Sequence, residues 1–124
     1  MIWTLLAVAS SAPTVSEDRH ALERMVAGDQ SGLAEIYDRH GRLIYALALR
    51  IVRDPGDAED VTQEVFVQAW RQADRFNQDR GYVVAWLLTM ARARSIDLLR
   101  RRKARPGLVD APAPGQDIPD ASPL

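Results

Sequence analysis

The stretch DPGDAEDVTQEVFVQAW, residues 54–70, carries the clearest structural signal in the chain. Its opening Asp-Pro-Gly is a turn signal, and the acids that follow suit the positive end of a helix that begins at Asp57. Apolar residues then recur at helical spacing: Ala58, Val61, Val65, Ala69 and Phe76. The stretch therefore predicts a helix with one face turned toward a core.

The segments before this helix also have helical patterns. Residues 17–28 predict a short helix that ends at Gly28. A second helix begins near Ser31, a suitable N-cap, and stops before Asp54. Its apolar stripe consists of Leu33, Ile36, Tyr37, His40, Leu43, Ile44, Leu47, Ala48 and Ile51.

After the central helix, residues 77–81 predict a loop and residues 82–103 a fourth helix. The apolar side of this helix consists of Val84, Leu87, Leu88, Ala91, Leu98 and Leu99. No segment has the strong two-residue alternation that is typical of a strand. The sequence therefore predicts an all-α fold, a compact bundle of three to four helices.

A length of 124 residues fits one domain, which we expect to span residues 17–105. Residues 1–16 contain an apolar run without the positive flank of a signal peptide, so we expect a disordered leader or a start assigned too far upstream. Residues 106–124 hold five Pro and two Gly, which predicts a flexible linker or tail. The absence of Cys excludes a disulfide scaffold and a Cys nucleophile.

The net charge of −1 hides a strong segregation of charge along the chain. Residues 54–70 carry five acids and no Lys or Arg, whereas residues 71–105 carry ten bases against three acids. Such asymmetry favours two different partners, one basic and one polyanionic.

Two helix faces carry residues that a core does not need. On the third helix, the face opposite the apolar stripe consists of Asp60, Gln63, Glu64, Val67, Trp70 and Asp74. This composition is typical of a protein interface. It is also typical of a solvated face whose Trp packs on a neighbouring helix. On the fourth helix, the face opposite the apolar side consists of Tyr82, Trp86, Thr89, Ala93 and Arg100. Its aromatic residues could stack on unpaired bases. Alternatively, Trp86 could be a core residue. The basic run at 100–103 exceeds what helix capping requires, which favours contact with a polyanion.

The sequence gives little support for catalysis. Asp60 and Glu64 are spaced to share a metal ion, but no His lies at matching spacing. His40 lies within an apolar stripe, so we expect a hydrogen-bonded core histidine there. No Gly-rich phosphate loop or nucleophile elbow is present. We therefore expect no enzyme activity, no metal, no cofactor and no small-molecule substrate.

Three strings together resemble region 2 of bacterial RNA polymerase sigma factors, most of all the extracytoplasmic-function (ECF) group. They are DAEDVTQEVFVQAW at 57–70, RFNQDRG at 75–81 and AWLLTMARARSIDLLRRRK at 85–103. The resemblance covers residues 18–105 and implies a cytoplasmic transcription initiation factor that binds polymerase core and promoter DNA, with an anti-sigma factor as a further partner and no membrane contact.

The resemblance also implies roles for individual residues. The residues expected to bind the basic clamp helices of the polymerase β′ subunit are Asp57, Asp60, Gln63, Glu64, Val67 and Trp70. The family recognises the minus-ten promoter element as non-template single strand, with one base flipped into the loop between helices three and four. The corresponding DNA-binding set is Arg75, Phe76, Asn77, Gln78, Asp79, Arg80, Tyr82, Trp86, Arg94, Arg100 and Arg101.

The chain departs from the family pattern in two ways. Ala93 stands where members usually carry Asn or another polar residue, so a contact made there would be lost. The chain also ends at Leu124, before the helix-turn-helix that reads the minus-thirty-five element, which suggests a truncated chain or a one-domain variant. The alternative function is a protein-interaction module, a sigma mimic or decoy that binds an anti-sigma factor without productive promoter binding.

Overall fold

A computed structural model describes residues 15–76 and 81–104, and all regular elements within these ranges are helical. Helix α1 covers residues 15–26. It is followed by α2 (Gln30–Val52), α3 (Pro55–Gln72), a short 3-10 turn (Ala73–Arg75) and α4 (Val83–Ala104). The prediction of an all-α bundle is confirmed. No helix among the described residues is long and apolar enough to cross a bilayer.

Two helices begin earlier than predicted, because an aspartate before each predicted start is the N-cap. Helix α2 begins at Gln30, and the backbone N–H of Ser31 donates to the Asp29 carboxylate at 2.9 Å, so Ser31 is not the N-cap. Helix α3 begins at Pro55, and the backbone N–H of Asp57 donates to the Asp54 carboxylate at 2.9 Å. The Asp-Pro-Gly string is therefore a cap and a first helical turn.

All four helices contribute to one apolar core. The apolar residues with at most 2% of their surface exposed are Ala21, Leu22, Ile36, Ile44, Ala48, Ala58, Val61, Val65, Ala69, Leu87 and Ala91. Several predicted stripe residues of α4, including Val84, Leu88 and Leu98, are only half-buried. The buried side of α4 is instead centred on Val83, Leu87, Met90 and Ala91.

Helix α1 is fastened to α2 by a charged cluster. His40 is buried, and its Nε2 lies 2.9 Å from the carboxylate of Asp18, also buried, so the expected core histidine is confirmed. Arg39 donates to Asp18 and to Glu35, and Arg24 donates to Glu35 as well. The hydrogen bonds from Arg39 and Arg24 lower the pKa of Glu35.

The predicted boundaries of the domain can be compared with the structure only in part. Residues 15 and 16, expected in the disordered leader, belong to α1. The rest of the leader, the predicted tail at 106–124, and loop residues 77–80 lie outside the described residues.

Candidate partner-binding and nucleic-acid surfaces

The outward face of α3 presents two acids, an amide and an aliphatic side chain to solvent. Asp60, Gln63 and Glu64 are exposed, and Val67 keeps 46% of its surface exposed. These four residues, which we call the α3 face, occupy i, i+3, i+4 and i+7 positions and therefore form one continuous strip. Trp70 lies at the end of this strip but is half-buried and packs against the core. Its predicted outward position is thus only partly correct.

Asp57 does not belong to the α3 face. Its side chain is only 12% exposed, and the guanidinium of Arg102 donates to its carboxylate at 2.6 Å. Burial raises the pKa of Asp57, and the nearby charge of Arg102 partly offsets that effect. The expected partner-binding role of Asp57 conflicts with this geometry, because the carboxylate is already occupied within the domain.

Arg94 connects the two surfaces that the sequence treated as separate. Its Nε donates to Gln68 at 2.7 Å, and a terminal nitrogen donates to Glu64 at 3.1 Å. This ties α4 to α3 across a shallow groove whose lining also includes Val67 and Arg71. Arg94, expected at the nucleic-acid surface, is therefore paired with a residue of the α3 face. The sequence analysis does not single out Gln68, because the helical wheel of one helix does not show which side chains of a neighbouring helix contact its edge.

A second concave surface lies where the 3-10 turn meets the start of α4. Its lining consists of Arg75, Phe76, Gly81, Tyr82, Ala85, Trp86 and Thr89. We call it the aromatic cleft. The rings of Phe76 and Trp86 pack with centroids 4.8 Å apart at an interplanar angle of 33°. Tyr82 keeps 60% of its surface exposed, and Arg75 is exposed beside the rings. Such a surface can stack on a planar base while the guanidinium holds a phosphate.

Trp86 has features of both predicted alternatives, a core residue and a residue that stacks on bases. It is half-buried and packs against the core, yet it also lines the aromatic cleft. Exposed Ala93 offers no polar group at its position on α4. The predicted DNA-binding residues Asn77, Gln78, Asp79 and Arg80 lie outside the described residues.

The basic run at the end of α4 divides into different roles. Arg100 is exposed. Arg101 forms an exposed i, i+4 ion pair with Asp97 at 3.3 Å, a contact that costs little to break. Arg102 is held by Asp57. Only part of the run is therefore available to an external polyanion.

The described residues contain no group of three His, Asp or Glu side chains placed to hold a metal ion. Asp60 and Glu64, the pair spaced to share one, are both exposed, and Glu64 faces Arg94.

Comparison with known proteins agrees with this fold. The Sigma-70 region 2 family matches residues 36–105. The ECF RNA polymerase sigma factor SigK of Mycobacterium tuberculosis is 44% identical over 93 residues, which are 74% of this chain and 50% of that protein. SigK of Mycolicibacterium vanbaalenii is 34% identical over 123 residues, 94% of this chain and 63% of that protein. The chain thus spans about half the length of the M. tuberculosis relative.

A solved structure is also similar. It is the NMR structure of an engineered region 2 of sigmaE in complex with GTAAAA, with a TM-score of 0.65 and 31% identity over 71% of this chain and 90% of that chain. The chain belongs to the sigma-70 region 2 family and is a region 2 domain of the ECF group.

Proposed function

We propose that this domain acts in transcription initiation by docking on core RNA polymerase through the α3 face. The expected docking site is the pair of β′ clamp helices, a coiled coil that presents basic side chains. Asp60 supplies the complementary charge, and Glu64 adds to it, since its side chain stays 53% exposed although it pairs with Arg94. Gln63 supplies a donor and an acceptor, and Val67 supplies apolar contact at the C-terminal end of the strip. Complementary charge of this kind steers association and fixes register.

The second part of the proposal assigns the aromatic cleft to the minus-ten promoter element, held as non-template single strand. Opening the duplex costs a few kcal/mol per unstacked step, and stacking each exposed base on an aromatic ring returns about 1–3 kcal/mol. Arg75 and Arg100 would contribute sequence-independent phosphate contacts. Asn77, Gln78 and Asp79 are the candidate readers of base edges.

One observation carries the proposal: the domain leaves two chemically different surfaces exposed, an acidic strip on α3 and an aromatic, basic cleft at the start of α4. The similarity to a region 2 domain solved in complex with GTAAAA supports the second assignment. The proposed role is one of binding, so it requires no catalytic group, and it takes place in the cytoplasm together with polymerase and chromosome.

The test is binding of the purified domain to core RNA polymerase, followed by binding of that complex to a labelled GTAAAA oligonucleotide. We expect Asp60→Arg to weaken polymerase binding about tenfold or more, because it places a cation against a basic partner. Glu23→Arg, a charge reversal at an exposed position on α1, is the matched control and should leave the affinity unchanged.

Equal affinities of the Asp60→Arg and Glu23→Arg variants for polymerase would overturn the docking assignment. Polymerase binding without any oligonucleotide binding would overturn the minus-ten assignment and favour the interaction module or decoy instead.

A further inference from the structure

Tyr37 is more exposed than its place in the sequence pattern predicts. It belongs to the apolar stripe of α2, yet 49% of its surface is exposed. Leu43, another stripe residue, also exposes 49% of its surface, but at 100° per residue the two positions are separated by about 120° around the helix. The two residues therefore offer equal exposed fractions on different sides of α2.

The ring of Tyr37 is held in place by its neighbours. Gly41 lies one turn further along α2, and a Cβ added there would stand 3.4 Å from ring atom Cε1, so the ring lies against the bare glycine backbone. On its other side, the ring meets Phe66 of α3 in an edge-on contact with centroids 5.0 Å apart at 70°. A ring held in this way loses little conformational entropy when a partner covers it.

The contact with Phe66 places Tyr37 next to the α3 face. Residues three and four positions apart on a helix are surface neighbours, and Phe66 has Gln63 and Trp70 at these distances. Gln63 belongs to the α3 face, so the exposed ring of Tyr37 borders that face on its α2 side.

We propose that Tyr37 is an aromatic anchor of the polymerase-docking surface, so that this surface extends from α3 across to α2. This inference rests on the proposed docking function of the α3 face. The occupant is the same basic coiled coil, because the ring borders the acidic α3 face and the cations of arginine and lysine side chains bind aromatic faces. Rigid aromatic residues of this type often dominate binding energy in protein interfaces.

The experiment compares polymerase binding of four variants of the full chain: Tyr37→Ala, Tyr37→Leu, Leu43→Ala and Asp60→Arg. We expect Tyr37→Ala to raise the dissociation constant about tenfold or more and Leu43→Ala to leave it unchanged. Tyr37→Leu keeps an apolar cover over Phe66 but removes the aromatic face, so it should also weaken binding. Because it preserves packing, it tests the proposal if Tyr37→Ala fails to fold.

The outcomes separate this inference from the function on which it rests. If Asp60→Arg weakens polymerase binding while Tyr37→Leu binds as tightly as Leu43→Ala, the α3 face docks but Tyr37 is no anchor. If Asp60→Arg binds normally, the docking function itself fails. Sedimentation of the free domain is a further measurement. If the parent domain is a dimer, and Tyr37→Leu is a monomer with unchanged affinity for polymerase, the ring binds a second copy of this chain. That result would overturn the proposal.

Discussion

At the scale of single residues, Asp57 is a carboxylate that the family pattern associates with docking, but it is largely buried and binds Arg102 within the domain. Its pKa is raised in the folded domain, above all by burial. A carboxyl group whose folded pKa exceeds its unfolded pKa favours folding in its protonated form. Its ionisation therefore lowers the free energy of unfolding as the pH rises through the folded pKa.

We predict that Asp57→Asn is at least as stable as the parent protein at pH 7, because the amide resembles the uncharged carboxyl group. This advantage should shrink as the pH falls through the folded pKa and vanish below the ordinary value of 3.8, where the parent carboxyl is protonated in both states. Urea unfolding at several pH values measures the difference. A clear loss of stability at pH 7 would show that the ion pair with Arg102 outweighs the cost of burial.

At the scale of helices, the close crossing of α1 and α2 depends on one glycine. A Cβ added to Gly32 would lie 2.3 Å from the backbone oxygen of Ala21 and 3.1 Å from side-chain atoms of Arg24 and Met25. A backbone atom cannot move aside as a flexible side chain can. The two helices would therefore have to separate, which would disturb the contacts of Asp18 with Arg39 and His40.

We predict that Gly32→Ala lowers the free energy of unfolding by about 1–3 kcal/mol, the usual cost of overpacking. Gly41→Ala is the matched control in the same helix, since the atoms nearest to its Cβ would be those of the Tyr37 ring, at 3.4 Å or more, and alanine there gains helix propensity. Urea denaturation of both variants provides the comparison. Equal stabilities would mean that α1 does not pack on α2 as closely as described.

Sequence periodicity predicted the helices well but their starts and partners less well. A 3.6-residue repeat depends only on local spacing, so α2, α3 and α4 were identifiable. Asp29 and Ser31 are both good N-cap residues, and the sequence does not show which of them is used. The bond between Asp57 and Arg102 spans 45 positions, and no local pattern reveals such a contact. The half-burial of Trp70 depends in the same way on tertiary packing.

At the scale of the whole molecule, the arginines at the end of α4 face different surroundings although they are adjacent in sequence. We predict that Arg100→Ala reduces the log–log salt dependence of single-stranded DNA binding by about 0.7, the value for one lost phosphate contact. Arg102→Ala should leave that slope unchanged, because Arg102 already binds Asp57. Oligonucleotide titrations of the polymerase complex at several salt concentrations measure both slopes. Equal slopes for the two variants would contradict this division of roles.

The Asp57–Arg102 contact also has a consequence for where the domain can be cut. It joins the first turn of α3 to the last turn of α4, so the final residues of α4 belong to the folded unit. A fragment that stopped before Arg102 would leave a largely buried carboxylate without its countercharge, which destabilises a protein more than the loss of an exposed helical turn does. Any shortened version intended for crystallisation or for grafting onto another protein should therefore retain α4 through Arg102.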